Sequence, residues 1–143
     1  MTPQRLQLEL HFLEARFPKR FVFRDMDTDQ PYLDCSVKSN TGKNYRLKIV
    51  LDGFPAEKPK VYITHPNPLL GFQGINLADF NYSISLHLLD PDDFGNVQIC
   101  HYNEDWDGGK TLLSHVMIHA KMWIEAYENY LRTGEPLDKY LKH

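Results

Sequence analysis

The order of the hydrophobic patterns constrains the fold more than any other feature of this sequence. A stripe at helical spacing comes first, and it predicts a helix over residues 2–17 that Thr2 caps and Pro3 opens. Apolar and polar residues then alternate in four short segments, which predict strands over residues 20–24, 32–37, 45–51 and 60–64. This order predicts an α+β fold in which the N-terminal helix covers part of a four-stranded antiparallel meander.

The stretch after the meander is irregular. Residues 65–106 carry many prolines and glycines, which predicts a long loop, and Cys100 lies within it. Only residues 82–88 alternate, and this predicts a fragment of strand with His87 on its polar side.

Helices are predicted for the C-terminal part of the chain. An amphipathic stripe runs from Leu113 to Leu131, with Thr111 as the predicted cap. Gly134 follows where a left-handed glycine ends helices, and Pro136 predicts the start of a short last helix.

Composition narrows the class of protein. The chain has 143 residues, of which 42% are hydrophobic and 24% charged, and this predicts one globular domain over residues 1–143. No apolar run approaches the ~20 residues that span a bilayer, and the first seven residues lack an apolar signal core. We therefore expect a cytoplasmic protein with no membrane partner and with reduced cysteines. The net charge of −3 argues against nucleic acid as a partner.

Charge is unevenly distributed along the chain. Residues 1–60 carry a net charge of +3, whereas residues 61–143 carry −6. Within the window 90–107 there is no Lys or Arg, and the six carboxylates are Asp90, Asp92, Asp93, Glu104, Asp105 and Asp107. Cys100 lies in the middle of this window.

The two cysteines differ in their surroundings. Cys35 lies on the apolar face of a predicted strand, where a thiol is normally a small packing residue. Cys100 lies in a polar loop, and the pattern alone leaves a buried residue and a nucleophile equally open. Surrounding carboxylates disfavour the thiolate that a hydrolytic or redox cysteine needs. A thiol in such a loop suits acyl exchange from an activated thioester, with carboxylates that attract the accepting amine.

Two histidines raise a rival hypothesis. His115 and His119 are four residues apart on the long predicted helix, a spacing that permits metal binding. With Cys100 and His101 they could form a mixed zinc site, and a metal hydrolase built on the three histidines is the corresponding function. The competing interpretation is a pair of structural histidines, and we predict no metal or other cofactor.

The succession of helix, meander, cysteine-bearing loop, tryptophan and C-terminal helices resembles the ubiquitin-conjugating enzyme family. Residues 54–62, FPAEKPKVY, are similar to that family's YP…PPKV.F segment. The family's His…Gly…Cys…Trp order is similar to His87, Gly95, Cys100 and Trp106. The resemblance covers nearly the whole chain and is closer to the divergent bacterial members encoded in CBASS anti-phage operons than to eukaryotic ones. The stretches that carry this likeness are Leu86-His87 with Gly95, Cys100 and Trp106, and then residues 123–128 with Thr133-Gly134.

This resemblance implies an acyl carrier. Cys100 would form a thioester with the C-terminal carboxylate of a partner protein, a cGAS-like nucleotidyltransferase that makes cyclic nucleotides, and pass the acyl group to an amine. His87 would polarise the thioester carbonyl or orient the loop. The chain shows no adenylating domain and no usual nucleotide-binding glycine loop, so either a separate activating protein supplies the activation or the chemistry differs.

Residues around the cysteine are expected to contact the substrates. The expected substrate-binding residues are His101, Asn103, Asp105, Trp106 and Asp107. An acidic rim would attract the accepting lysine, and its members would be Asp92, Asp93, Asp105 and Asp107. Trp106 would also pack the loop down.

One departure from the eukaryotic pattern concerns the oxyanion. Eukaryotic members place His-Pro-Asn shortly before the cysteine, whereas here residues 65–67 carry it much earlier. The role is therefore not transferred to Asn67, and Asn96 and Asn103 are the candidate amide donors. The alternative function is a non-catalytic protein-binding module of the same fold, and the presence of Cys100 counts against it.

Overall fold

The computed structural model describes residues 1–80, 82–101 and 105–141. In these ranges the α-helices are α1 (Pro3–Arg16) and α2 (Leu113–Thr133). The strands are β1 (Phe21–Arg24), β2 (Tyr32–Lys38), β3 (Asn44–Val50), β4 (Val61–His65), β5 (Leu88–Leu89) and β6 (Val97–Ile99). They form one antiparallel sheet in the order β1-β2-β3-β4-β6-β5. The prediction of an α+β fold with an N-terminal helix, an antiparallel sheet and a C-terminal helix is confirmed.

Alternation along β2 and β3 builds the core, as the sequence predicts. The inward residues of the two strands pair as Leu33 with Ile49, Cys35 with Leu47, and Val37 with Tyr45. Residues of α2 are buried with them, among them Val116, Met117, Ala120 and Ile124. Cys35 is 2% exposed, and burial raises the pKa of its thiol, which confirms the packing role predicted for it.

In the described part of the chain, the sheet has six strands, two more than the predicted four-stranded meander. β5 and β6 have only two and three residues, which is too short for a hydrophobic period to show in the sequence. The predicted strand fragment over residues 82–88 is wrong. Tyr82 and Ile84, expected to face inward, are 63% and 69% exposed, because residues 84–87 form a turn that returns the chain from Ser83 to Leu88.

The ends of the helices follow the predictions except at Thr111. The Thr2 hydroxyl accepts the Arg5 N–H at 3.1 Å and caps α1. Thr111 lies outside α2, where Arg5 Nη2 donates to its carbonyl at 2.8 Å. The cap position belongs to Leu112, whose N–H donates to His115 Nδ1 at 3.2 Å.

An ion pair within α1, between Arg5 and Glu9, connects this helix to the start of α2 through hydrogen bonds. Glu9 is 0% exposed; its Oε2 accepts from Arg5 Nε and its Oε1 accepts from the Leu113 N–H, both at 2.8 Å. Arg5 also donates to the carbonyls of Gly108 and Thr111, at 2.6 and 2.8 Å. This network fixes the loop before α2 against α1.

Across the described residues, we find no helix with the length and apolarity needed to cross a membrane.

Gly134 ends α2 in the left-handed conformation, with φ of 77°, and the short 3₁₀ helix Leu137–Lys139 follows Pro136 as predicted. A Cβ at position 134 would lie 2.9 Å from the Phe72 ring. We expect Gly134→Ala to lower the free energy of unfolding by about 2 kcal/mol, because backbone strain and overpacking both contribute.

Gly74 offers a matched control for this substitution. Its φ is 79°, and a Cβ there meets no described atom within 4 Å. Gly74→Ala should therefore show only the conformational cost, about 1 kcal/mol. Urea unfolding of both variants measures the difference, and equal losses would show that the Phe72 contact contributes nothing.

Candidate active site

Cys100 lies directly after β6, at the end of the sheet's last inner strand. Its backbone N–H donates to the His87 carbonyl at 2.9 Å, so the cysteine continues the pairing between β6 and β5. Its side chain is half-buried. It opens into a cleft of about 140 Å³ whose other walls include Tyr82, Ile84, His87, Leu88 and Asp138. Both cysteines lie in the described part of the chain, and they are not joined in a disulfide.

The turn before β5 presents His87 to this cleft. His87 has a left-handed φ of 53°. Across the turn, the Ser83 N–H donates to the Leu88 carbonyl, and the Leu88 N–H donates to the Ser83 carbonyl. Trp123 of α2 is 1% exposed, and its Nε1 donates to the carbonyls of Leu86 and His87 at 3.2 Å each. The His87 carbonyl therefore receives hydrogen bonds from both the Cys100 backbone and α2, which ties the turn to the cysteine.

Asp138 contacts the ring of His87. His87 Nε2 donates to Asp138 Oδ1 at 2.5 Å, and the side chains are 7% and 51% exposed. The Asp138 N–H also donates to the Ser85 carbonyl at 3.2 Å. The sequence did not predict this contact, because the partners are 51 positions apart and Asp138 belongs to no recognisable motif.

His101 lies in the core, although it was expected to contact substrate. Its side chain is buried, with 2% of the residue exposed, and Nε2 donates to the Pro59 carbonyl at 2.8 Å. His119 Nδ1 donates to the His101 carbonyl at the same distance. In this arrangement His101 and His119 hold the chain that leaves Cys100 against the start of β4 and against α2.

The zinc-site hypothesis finds no support in these positions. His115 caps α2, and His119 Nδ1 bonds to a carbonyl. No group of three or more His, Cys, Asp or Glu residues that could hold a metal ion occurs within residues 1–80, 82–101 and 105–141.

Trp106 packs the loop after the cysteine, as expected. It is half-buried, and its Nε1 donates to the Pro55 carbonyl at 2.7 Å, with its ring centroid 6.3 Å from that of Phe54. Gly108 approaches the same segment so closely that a Cβ would lie 1.7 Å from the Pro55 carbonyl oxygen. The FP segment at 54–55 therefore contacts Trp106 and Gly108 of this loop.

Of the other residues expected to bind substrate, the structure describes Asp105 and Asp107 but not Asn103. Asp105 and Asp107 are exposed, and Asp107 Oδ1 accepts the Gly109 N–H at 2.9 Å within a turn. Asn103 lies outside the described residues, so its expected contact stays a prediction.

The acidic window does not form one rim around the thiol, which corrects the expectation for Asp92 and Asp93. Both lie on the connection from β5 to β6, whereas Cys100 follows the other end of β6. Three residues of strand separate the two ends, on the order of 10 Å. The Asp92 carboxylate instead accepts the N–H groups of Phe94 and Asn96, both at 2.9 Å.

The candidate oxyanion donor Asn96 lies at the same distant end. Its Nδ2 donates to Asp92 Oδ2 at 2.8 Å, and its Oδ1 accepts from Asn67 Nδ2 at 2.9 Å. The His-Pro-Asn segment at 65–67 therefore contacts the β5–β6 connection, at the end of β6 opposite to Cys100, and Asn67 is not a candidate for the oxyanion role.

Comparison with protein families identifies the chain. The family model described as type II CBASS E2 protein matches residues 9–140, which is most of the sequence, and the chain belongs to this family. Membership gives the protein a role in CBASS anti-phage systems and implies interaction with other CBASS proteins. The name E2 is that of conjugating enzymes. Comparison with curated proteins and with solved structures gave no significant match.

Proposed function

We propose that this protein is an acyl carrier in which Cys100 forms a thioester with the C-terminal carboxylate of a partner protein. The observation that carries the proposal is the position of Cys100, whose half-buried thiol lies at the end of a strand and shares a cleft with His87. The family to which the chain belongs is named for conjugating enzymes. Cys35 offers no such access, because it lies in the core.

The first step is exchange. The Cys100 sulfur attacks the carbonyl carbon of an acyl group already activated as a thioester on a separate protein, a new C–S bond forms, and the donor thiol leaves with the proton. This route needs no carboxyl activation by the chain itself. From the resemblance to bacterial conjugating enzymes, we take the acyl donor to be the tail of a cGAS-like nucleotidyltransferase.

The second step transfers the acyl group to an amine. Exposed Tyr82 and Ile84 flank the cleft and provide an apolar surface for the bound tail. Asp105 and Asp107 are exposed on the loop after the cysteine and supply negative charge for an incoming lysine. Trp106 and His101 keep this loop in place, so we assign positioning roles to these two residues.

A short peptide thioester tests the first step without knowledge of the partner. Incubation with the purified protein should add one acyl group, visible as a mass increase in the intact protein and located on Cys100 by peptide mapping. Cys100→Ala should remain unmodified, and Cys35→Ala should load as the wild type does. Loading of Cys100→Ala to the wild-type extent would refute the proposal.

A further inference from the structure

We infer that Asp138 is a positioning residue that holds His87 as the proton acceptor for amine attack, an inference that rests on the proposed function. The His87 ring and the Asp138 carboxylate meet at 2.5 Å and line the cleft into which Cys100 opens. The sequence pattern gives no role to Asp138, and it lies on the 3₁₀ helix Leu137–Lys139 at the C-terminal end of the described chain.

The direction of the contact determines the chemistry of the ring. A carboxylate oxygen accepts, so Nε2 of His87 carries the proton and Nδ1 of the neutral ring carries the lone pair. If Nδ1 then takes a proton, the ring becomes a cation while 93% of the side chain is out of contact with water, its exposure being 7%. The adjacent carboxylate stabilises that cation, as an aspartate does for the histidine of a catalytic triad.

The partners are held together by more than their side chains. The Asp138 N–H donates to the Ser85 carbonyl, within the turn that presents His87. Leu137, beside Asp138, is 1% exposed and anchors the 3₁₀ helix in the core. The backbone of His87 is held in turn by the Trp123 indole. The backbones of both residues are therefore fixed before any substrate arrives, while the Asp138 side chain itself is 51% exposed.

The transfer step balances with the amine as the only other reactant. The amine nitrogen attacks the thioester carbonyl carbon, and a C–N bond forms. A proton from that nitrogen passes to His87, the C–S bond breaks, and the Cys100 thiolate recovers the proton from the imidazolium. Thioester and amine thus become amide and thiol, and His87 and Asp138 end unchanged.

Asp138→Asn tests this role because it keeps the size of the side chain and removes its charge. The variant should load from the peptide thioester as the wild type does. Transfer of the acyl group to free lysine in a single turnover should slow by at least ~10-fold. Asp138→Glu should recover part of the rate. Asp93→Asn, the same change at an exposed site on the β5–β6 connection, should alter neither step.

A double variant shows whether Asp138 acts through His87. His87→Asn suits the left-handed φ of that position and cannot accept the proton. In this background, Asp138→Asn should slow transfer no further. Nitrogen NMR of the His87 ring should show a protonated Nε2 in the wild type and a changed signal in Asp138→Asn.

Three outcomes separate the hypotheses. If Cys100 loads and Asp138→Asn transfers at the wild-type rate, the inference fails and the proposed function stands. If Asp138→Asn slows transfer equally in the His87→Asn background, Asp138 does not act through His87. If wild-type Cys100 does not load, the proposed function fails and this inference fails with it.

Discussion

Cys100→Ala is expected to abolish the covalent adduct between this protein and the C-terminal tail of its partner, and to abolish protection against phage. Alanine has no nucleophile, and no other thiol can replace it, because Cys35 lies 2% exposed in the core with a raised pKa. Both readouts come from cells that express the operon: mass spectrometry of the captured protein detects the adduct, and plaque counts measure protection.

Cys35→Ala is the matched control for this experiment. It removes the other sulfur and should leave the adduct and the protection at wild-type levels. An adduct that persists in Cys100→Ala would contradict the mechanism. If Cys100→Ala protects cells as well as the wild type does, the non-catalytic protein-binding module is the correct alternative.

Glu9→Ala is expected to produce the largest loss of stability. Removing this carboxylate, which is 0% exposed, leaves the Leu113 N–H without its acceptor and the Arg5 guanidinium, 14% exposed, without its anion. Breaking a buried pair by removing one partner lowers the free energy of unfolding by about 3 kcal/mol or more. Urea unfolding followed by circular dichroism measures the change.

The control for Glu9 lies on the same helix. Glu14 is exposed on α1, and Glu14→Ala should change the free energy of unfolding by no more than ~0.5 kcal/mol. Similar losses for the two variants would show that the buried network does not stabilise the junction between α1 and α2. A large loss for Glu9→Ala alone would show that it does.

The regular parts of the fold could be predicted from local patterns. In β2 and β3, alternation alone identifies the inward residues, such as Leu33 and Leu47, because burial on one face of a sheet enforces a period of two. The Thr2 cap and the Gly134 end follow from local backbone chemistry in the same way. These signals need no knowledge of distant parts of the chain.

Long-range contacts could not be predicted in this way. β5 and β6 are defined by their pairing with each other and with β4, and they are too short to carry a period. A glutamate on a helix is normally exposed, and the burial of Glu9 follows only from its contact with the distant Leu113 N–H. The pairing of His87 with Asp138 depends on the path of α2, which returns the end of the chain to the turn before β5.

Around Cys100, closeness in sequence does not correspond to closeness in space. Asp92 and Asp93 are within eight residues of the cysteine, yet a strand separates them from it. Asp138 is much farther along the chain and lines the same cleft. Among the described residues, Asp138 supplies the carboxylate that lines this cleft, and roles for Asp105 and Asp107 beside the thiol stay predictions.

The mass of the adduct tests the central claim most directly. A thioester between Cys100 and the partner's carboxylate has the summed mass of the two proteins less one water, and it resists a phosphine reductant but is cleaved by hydroxylamine. We predict this result for the wild-type protein captured with its partner. An adduct that lacks only two hydrogens and is cleaved by the phosphine would be a disulfide, and it would contradict acyl transfer by Cys100.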